Sequence, residues 1–168
     1  MKRRAIAVLA TVAVLSVLGA AVAGGVGARN ARSARILAFD VMTPVVSPYT
    51  GSSTPIRGIN GGGVPWAIAS GSGELTTGGA LKVEVQGLVV ASTGSNPVAN
   101  FKAIVSCQTV DGLVTNVSTG LFAASPGLAS AGGGNADIEA QLTLPSPCIA
   151  PIVFVTSAGG SWFATTGF

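Results

Sequence analysis

The sequence predicts an all-β protein: an antiparallel β-sandwich, immunoglobulin-like or jelly-roll-like, with seven to nine short strands after an N-terminal signal helix. Three observations predict it. Apolar and polar residues alternate with a period of two in several separate stretches. Clusters of Gly, Pro, Asn and Asp punctuate these stretches at short intervals. No helical period occurs after the first two dozen residues, which leaves sheet packed on sheet as the way to bury the apolar faces.

The first segment is not part of that domain. Lys2, Arg3 and Arg4 form a positive n-region, Ala5 to Leu18 is apolar, and Ala21-Val22-Ala23 offers small residues for signal cleavage. A second small-residue site, Val26-Gly27-Ala28, follows. The alternative is a retained anchor, because the uncharged stretch exceeds the ~20 residues that span a bilayer. Its Gly- and Ala-rich far end favours cleavage, after which no stable membrane span remains. The division is therefore a signal peptide at 1–23, a polar linker at 24–35 and a single sandwich domain at 36–168. Localisation is read as secreted, with a signal of bacterial character.

Charge follows the same division. The chain carries nine basic and six acidic residues, net +3. Lys2, Arg3 and Arg4 leave with the signal, and Arg29, Arg32 and Arg35 lie in the linker, where solvation is the plainer reading and contact with anionic lipid or wall polymer the other. From Ile36 onward only Arg57, Lys82 and Lys102 oppose Asp40, Glu74, Glu84, Asp111, Asp137 and Glu139. A nucleic-acid partner is excluded, since phosphate binding needs a dense basic surface.

Cys107 and Cys148 are the only cysteines. In an exported chain an even pair is read as a disulfide, here closing a loop of about 40 residues, worth roughly 3–4 kcal/mol in the chain-entropy model. Two free buried thiols are the alternative. A catalytic thiol is disfavoured, because the chain has no histidine to activate it.

Along the domain, Ile36 to Met42 predicts a first strand. A long irregular loop at 43–65 then carries Pro44, Pro48, Pro55, Pro65 and the triplet Gly61-Gly62-Gly63, expected to cover an open end or form a binding rim. Trp66 to Ser70 and Glu74 to Thr76 are extended pieces, turning at Thr77-Gly78-Gly79. Leu81, Val83 and Val85 alternate with Lys82, Glu84 and Gln86. Gly87 reads as a bulge before Leu88 to Ala91, and Thr93 to Pro97 as a turn. Phe101, Ala103, Val105 and Cys107 share one face. Asp111-Gly112 predicts a two-residue type I′ hairpin into a strand from Leu113 to Phe122. After the loop Ser125 to Asn135, Ala136 to Leu144 alternates cleanly. Pro151 marks an edge or bulge in the strand starting near Cys148, and Trp162 to Thr166 ends the sheet.

Chemistry is sparse. Without histidine the commonest base and metal ligand are missing. Asp137 and Glu139 share a strand face but sit where a solvated face is expected, so no metal and no cofactor are assigned, and no catalytic residue. Glu74 and Glu84 have no spacing that predicts convergence. The glycine triplets lack the context of phosphate loops and read as flexible loop tips. Asn116-Val117-Ser118 matches a glycosylation sequon, read as coincidence in a bacterial chain. Tyr49, Trp66, Trp162 and Phe163 are the aromatics able to form a ligand-contact platform, with core positions for both tryptophans as the plainer reading.

Pro65-Trp66-Ala67-Ile68, Gly71-Ser72-Gly73-Glu74-Leu75, Gly87-Leu88-Val89, Asn96-Pro97-Val98 and Val105-Ser106-Cys107 together resemble an uncharacterised family of small secreted proteins of soil bacteria, from about Ile56 to the C-terminus. The resemblance implies export and a compact β domain and carries no catalytic residue. The reading from sequence is thus a secreted non-enzymatic module binding an extracellular polysaccharide or protein. A self-associating structural surface protein and a histidine-free hydrolase are the alternatives.

Overall fold

The structure is a computed structural model and describes residues 33–166. The expected signal segment and most of the linker lie outside the described residues. Arg35, expected in the linker, instead opens the first strand.

Fourteen strand segments form, all pairing antiparallel: β1 Arg35–Phe39, β2 Met42–Pro44, β3 Trp66–Ala67, β4 Ser70–Thr76, β5 Ala80–Gln86, β6 Val89–Val90, β7 Ser95–Asn96, β8 Asn100–Gln108, β9 Val114–Ser118, β10 Phe122–Ala123, β11 Gly127–Leu128, β12 Ala136–Gln141, β13 Ile149–Thr156 and β14 Trp162–Thr166. The excess over nine comes from expected strands that break into shorter pieces and from two-residue segments in the loops. The expected strand Ile36–Met42, for example, breaks at the bend of Asp40. β1 pairs with β4, whereas β2 pairs with β14 in a different sheet.

Three sheets result. One has the order β1-β4-β5-β12; the second runs β10-β8-β13-β14-β2, with β9 also on β8; a small third sheet is β11-β7-β6-β3. Alternation decides which faces meet. Leu75, Leu81, Val83, Val85 and Ile138 from the first sheet and Phe101, Ala103, Val105, Val153 and Val155 from the second are all buried in one core. Gly71 and Gly73 lie on the inner side of β4, where Met42 and Phe39 occupy the space a Cβ would take. The disulfide joins Cys107 in β8 to Cys148 just before β13, with Cα atoms 4.9 Å apart.

The loop at 43–65 does not hang over an open end. It begins with β2 and then runs along β14: Val45 N–H donates to the Phe163 carbonyl, Trp162 N–H to Asn60, and Gly62 N–H to Trp162. Tyr49 meets Trp162 with ring centroids 6.4 Å apart, and Phe154 lies on the same indole at 6.1 Å. The segment also anchors on β8 and β9, where Arg57 Nη1 donates to the Ser106 carbonyl (2.9 Å) and Asn116 Nδ2 to the Arg57 carbonyl (3.1 Å).

Two turn expectations are corrected. Thr109 N–H bonds the Leu113 carbonyl and Gly112 N–H bonds Thr109, so the β8–β9 loop has three residues, Val110 to Gly112. Only Gly112 has positive φ (75°); a type I′ turn would require it at Asp111 as well. The glycine triplets are packed at most of their positions rather than projecting as free tips. A Cβ at Gly61 would strike the Tyr49 carbonyl, and one at Gly134, whose φ is 79°, would strike the Leu88 backbone. These glycines permit close backbone packing.

Candidate functional site

The outward face of the four-stranded sheet collects most of the charge of the described domain. Register builds it in rows. Ala38 opposes Glu74, Glu74 opposes Lys82, and Lys82 opposes Glu139; in the next row Ser72 opposes Glu84 and Glu84 opposes Asp137. Arg35 Nε lies 3.1 Å from Glu74 Oε2, and Lys82 Nζ lies 3.0 Å from Glu139 Oε1. The hydrogen bond from Lys82 to Glu139, reinforced by that carboxylate's charge, raises the lysine above its ordinary 10.5. Asp40 stands at the rim. Five of the six side-chain carboxylates, four on the face and Asp40 at its rim, are thus gathered here against two cations, and only Asp111 lies elsewhere.

The face is grooved. A groove of about 380 Å³ runs between Glu74, Lys82, Glu139 and Gln141, and an adjoining one of about 260 Å³ between Arg35, Asp40, Ser72 and Glu84. Gln141 reaches across to hydrogen-bond the Gly78 carbonyl, and Gln86 Nε2 donates to Glu84 Oε1 at 2.9 Å. Glu84 and Asp137 face each other on adjacent strands, where like charges oppose folding.

The expected contact aromatics lie elsewhere. Trp66, Trp162 and Phe163 are buried, Trp162 with 1% exposure, and Tyr49 is half-buried against Trp162. Trp66 stacks on Phe163 at 3.8 Å, and Phe101 packs edge-on to both. Trp66 and Phe163 pack with Phe101 between the sheets, whereas Trp162 lies on the opposite face of β14 beneath the 43–65 segment, so the rings form no surface platform. Asp137 and Glu139 do share a face as expected, but Glu139 is taken by Lys82. Among the described residues no three His, Cys, Asp or Glu side chains cluster as a metal would require.

Sequence reasoning missed that Glu74 and Glu84 converge with the β12 carboxylates. The signal was present in part. Thr77-Gly78-Gly79 marks a hairpin, and folding the chain there pairs Glu74 with Lys82. The pairing of β5 with β12, some fifty residues on, carried no local signal.

A second surface is apolar. Val110, Leu113, Val114 and Ile149 are exposed around the β8–β9 turn and the start of β13, beside the disulfide. No helix among the described residues is long and apolar enough to cross a membrane. No protein-family model, curated protein or solved structure matches this chain.

Proposed function

We propose that this protein is a secreted, non-catalytic module that binds a cationic extracellular partner, an amine-bearing polymer or a basic protein segment, on the charged face of its four-stranded sheet. The observation that carries this reading is the gathering of five carboxylates on and at the rim of one grooved face of a domain that is otherwise nearly uncharged. The Glu84–Asp137 opposition supports it further. Two facing carboxylates disfavour folding, and a cationic group placed between them turns that repulsion into attraction. The disulfide fits an oxidising compartment, in keeping with the resemblance to secreted soil-bacterial proteins.

Retention on an immobilised amine-bearing polysaccharide and on poly-lysine, against a polyanion as control, tests the reading. Retention on the polycations that weakens with salt, and is lost in Glu84→Gln/Asp137→Asn, supports it. Equal retention of wild type and variant contradicts it. A self-associating surface protein is the second reading, favoured by the uncharged edge of β9, whose outer side pairs with no strand among the described residues.

A further inference from the structure

β9 borders the six-stranded sheet, and no strand among the described residues pairs with its outer side. We propose that this edge pairs with the same edge of a second copy of the chain, antiparallel, about a two-fold axis at Val117. The inference is independent of the charged face.

The backbone groups are set for it. Thr109 N–H donates to the Leu113 carbonyl and Thr119 N–H to the Ala103 carbonyl, each at 2.9 Å, in one register with Cys107↔Thr115 and Val105↔Val117. Hydrogen-bonded pairs alternate along an antiparallel ladder. Thr115 and Val117 therefore direct their amides to β8, and Val114, Asn116 and Ser118 direct theirs to the free edge.

Among the described residues little blunts that edge from Val114 to Ser118; the register against β8 shifts by one residue only beyond it, between Thr119 and Phe122. Natural edge strands are protected by charged side chains, proline or bulges, whereas Gly112 to Ala136 holds no charged residue and β9 no proline. Outward from Val117 the chain matches itself at Asn116 with Ser118, Thr115 with Thr119 and Leu113 with Leu121, and departs from the match only where Val114 meets Gly120. An antiparallel pair centred on Val117 places Asn116 opposite Ser118 of the other copy, both with outward amides, as a hydrogen-bonded pair. Leu113 and Leu121, 67% and 55% exposed, lie toward the two ends of the pairing, Leu121 within the register shift that precedes β10. The two Asp111 carboxylates fall at opposite ends, and Arg57, whose carbonyl accepts from Asn116, directs its guanidinium to the Ser106 carbonyl of β8. This matching within a single strand selects a copy of the same chain over an unrelated one.

Sedimentation velocity of the purified protein across a wide concentration range, with amide hydrogen exchange, tests the proposal. Expected are a concentration-dependent dimer and slowed exchange at Asn116 and Ser118 as it forms. Ser118→Pro removes one outward N–H without touching the amides that pair with β8, and is expected to raise the dimer dissociation constant at least about tenfold, near 1.4 kcal/mol. Ser118→Lys sets two ammonium groups beside the two-fold and is expected to do the same, relieved in part by salt. Should the proline variant fail to fold, the exposed lysine variant decides. A monomer at every concentration overturns the proposal. So does a dimer that survives both substitutions, since it must then use another surface, the apolar N-terminal stretch included.

Discussion

At the scale of the residue, Arg57 shows how one side chain ties a long loop to a backbone ladder. β13 pairs with β8 through a register shift between Ile149 and Ile152, where Pro151 contributes no N–H. Just past that shift the Ser106 carbonyl, on the residue opposite Ile152, accepts from Arg57 Nη1. Arg57 itself has φ of 49°, a left-handed conformation costly to a residue with a Cβ. Burial lowers its pKa from the ordinary guanidinium range, and a guanidinium stays charged at neutral pH. Arg57→Met is expected to destabilise by about 1–3 kcal/mol, the range for leaving a polar group unpaired. Arg57→Gly should cost less, because glycine accepts the positive φ. Denaturant midpoints check both, and equal losses would assign the whole effect to the side chain.

Lys82 makes a second residue-scale expectation. Its folded pKa is raised above 10.5, chiefly by the hydrogen bond to Glu139. A raised folded pKa gives stability that is fully present below the unfolded value and lost as pH rises through the folded one. Stability should therefore be level from neutral pH to about 10 in this respect and decline above it. Lys82→Met should remove the lysine's share of that decline, as unfolding midpoints taken along an alkaline pH series would show. The pair is exposed, so the effect is small.

At the scale of the element, the strands most legible in the sequence were those with one wet and one dry face. β5 and β12 alternate strictly, and their burial alternates in the same way over most of their length. β8 reads half correctly: Phe101, Ala103, Val105 and Cys107 face inward as expected, but Ile104 and Ser106 are buried too. No local pattern announces that, because the cover is the 43–65 segment, far away in sequence. The same long-range packing hid the role of the glycines. Gly61 presses on the Tyr49 carbonyl and Val45, whereas Gly63, two residues on, has open space where a Cβ would stand. Gly61→Ala is expected to destabilise by about 1–3 kcal/mol, the usual range for overpacking, and Gly63→Ala to be neutral or slightly stabilising. Thermal unfolding of the two variants checks this contrast, and equal behaviour would mean that the loop yields freely.

At the scale of the whole molecule, the domain separates its chemistry by face. One sheet turns carboxylates outward in register, the other is covered by a proline- and glycine-rich segment, and its β9 edge is free of charge. Composition alone suggested a near-neutral to acidic body. It could not show that the acidity is concentrated, since concentration depends on β12 lying beside β5. Aromatic residues drew attention in the sequence as contact candidates, yet burial of large apolar area makes the interior their favoured place. The recognition surface is therefore read from polar residues that each look like ordinary solvated strand positions.

The most direct test of that reading is a titration of the purified protein with poly-lysine at low and high salt, for wild type and for Glu84→Gln/Asp137→Asn. The expected result is saturable binding that weakens steeply with salt and falls at least about tenfold in the variant, whose folded state gains a few tenths of a kcal/mol from the relieved repulsion. Binding of equal strength in both proteins, or none in either, would contradict the charged face as the site of recognition.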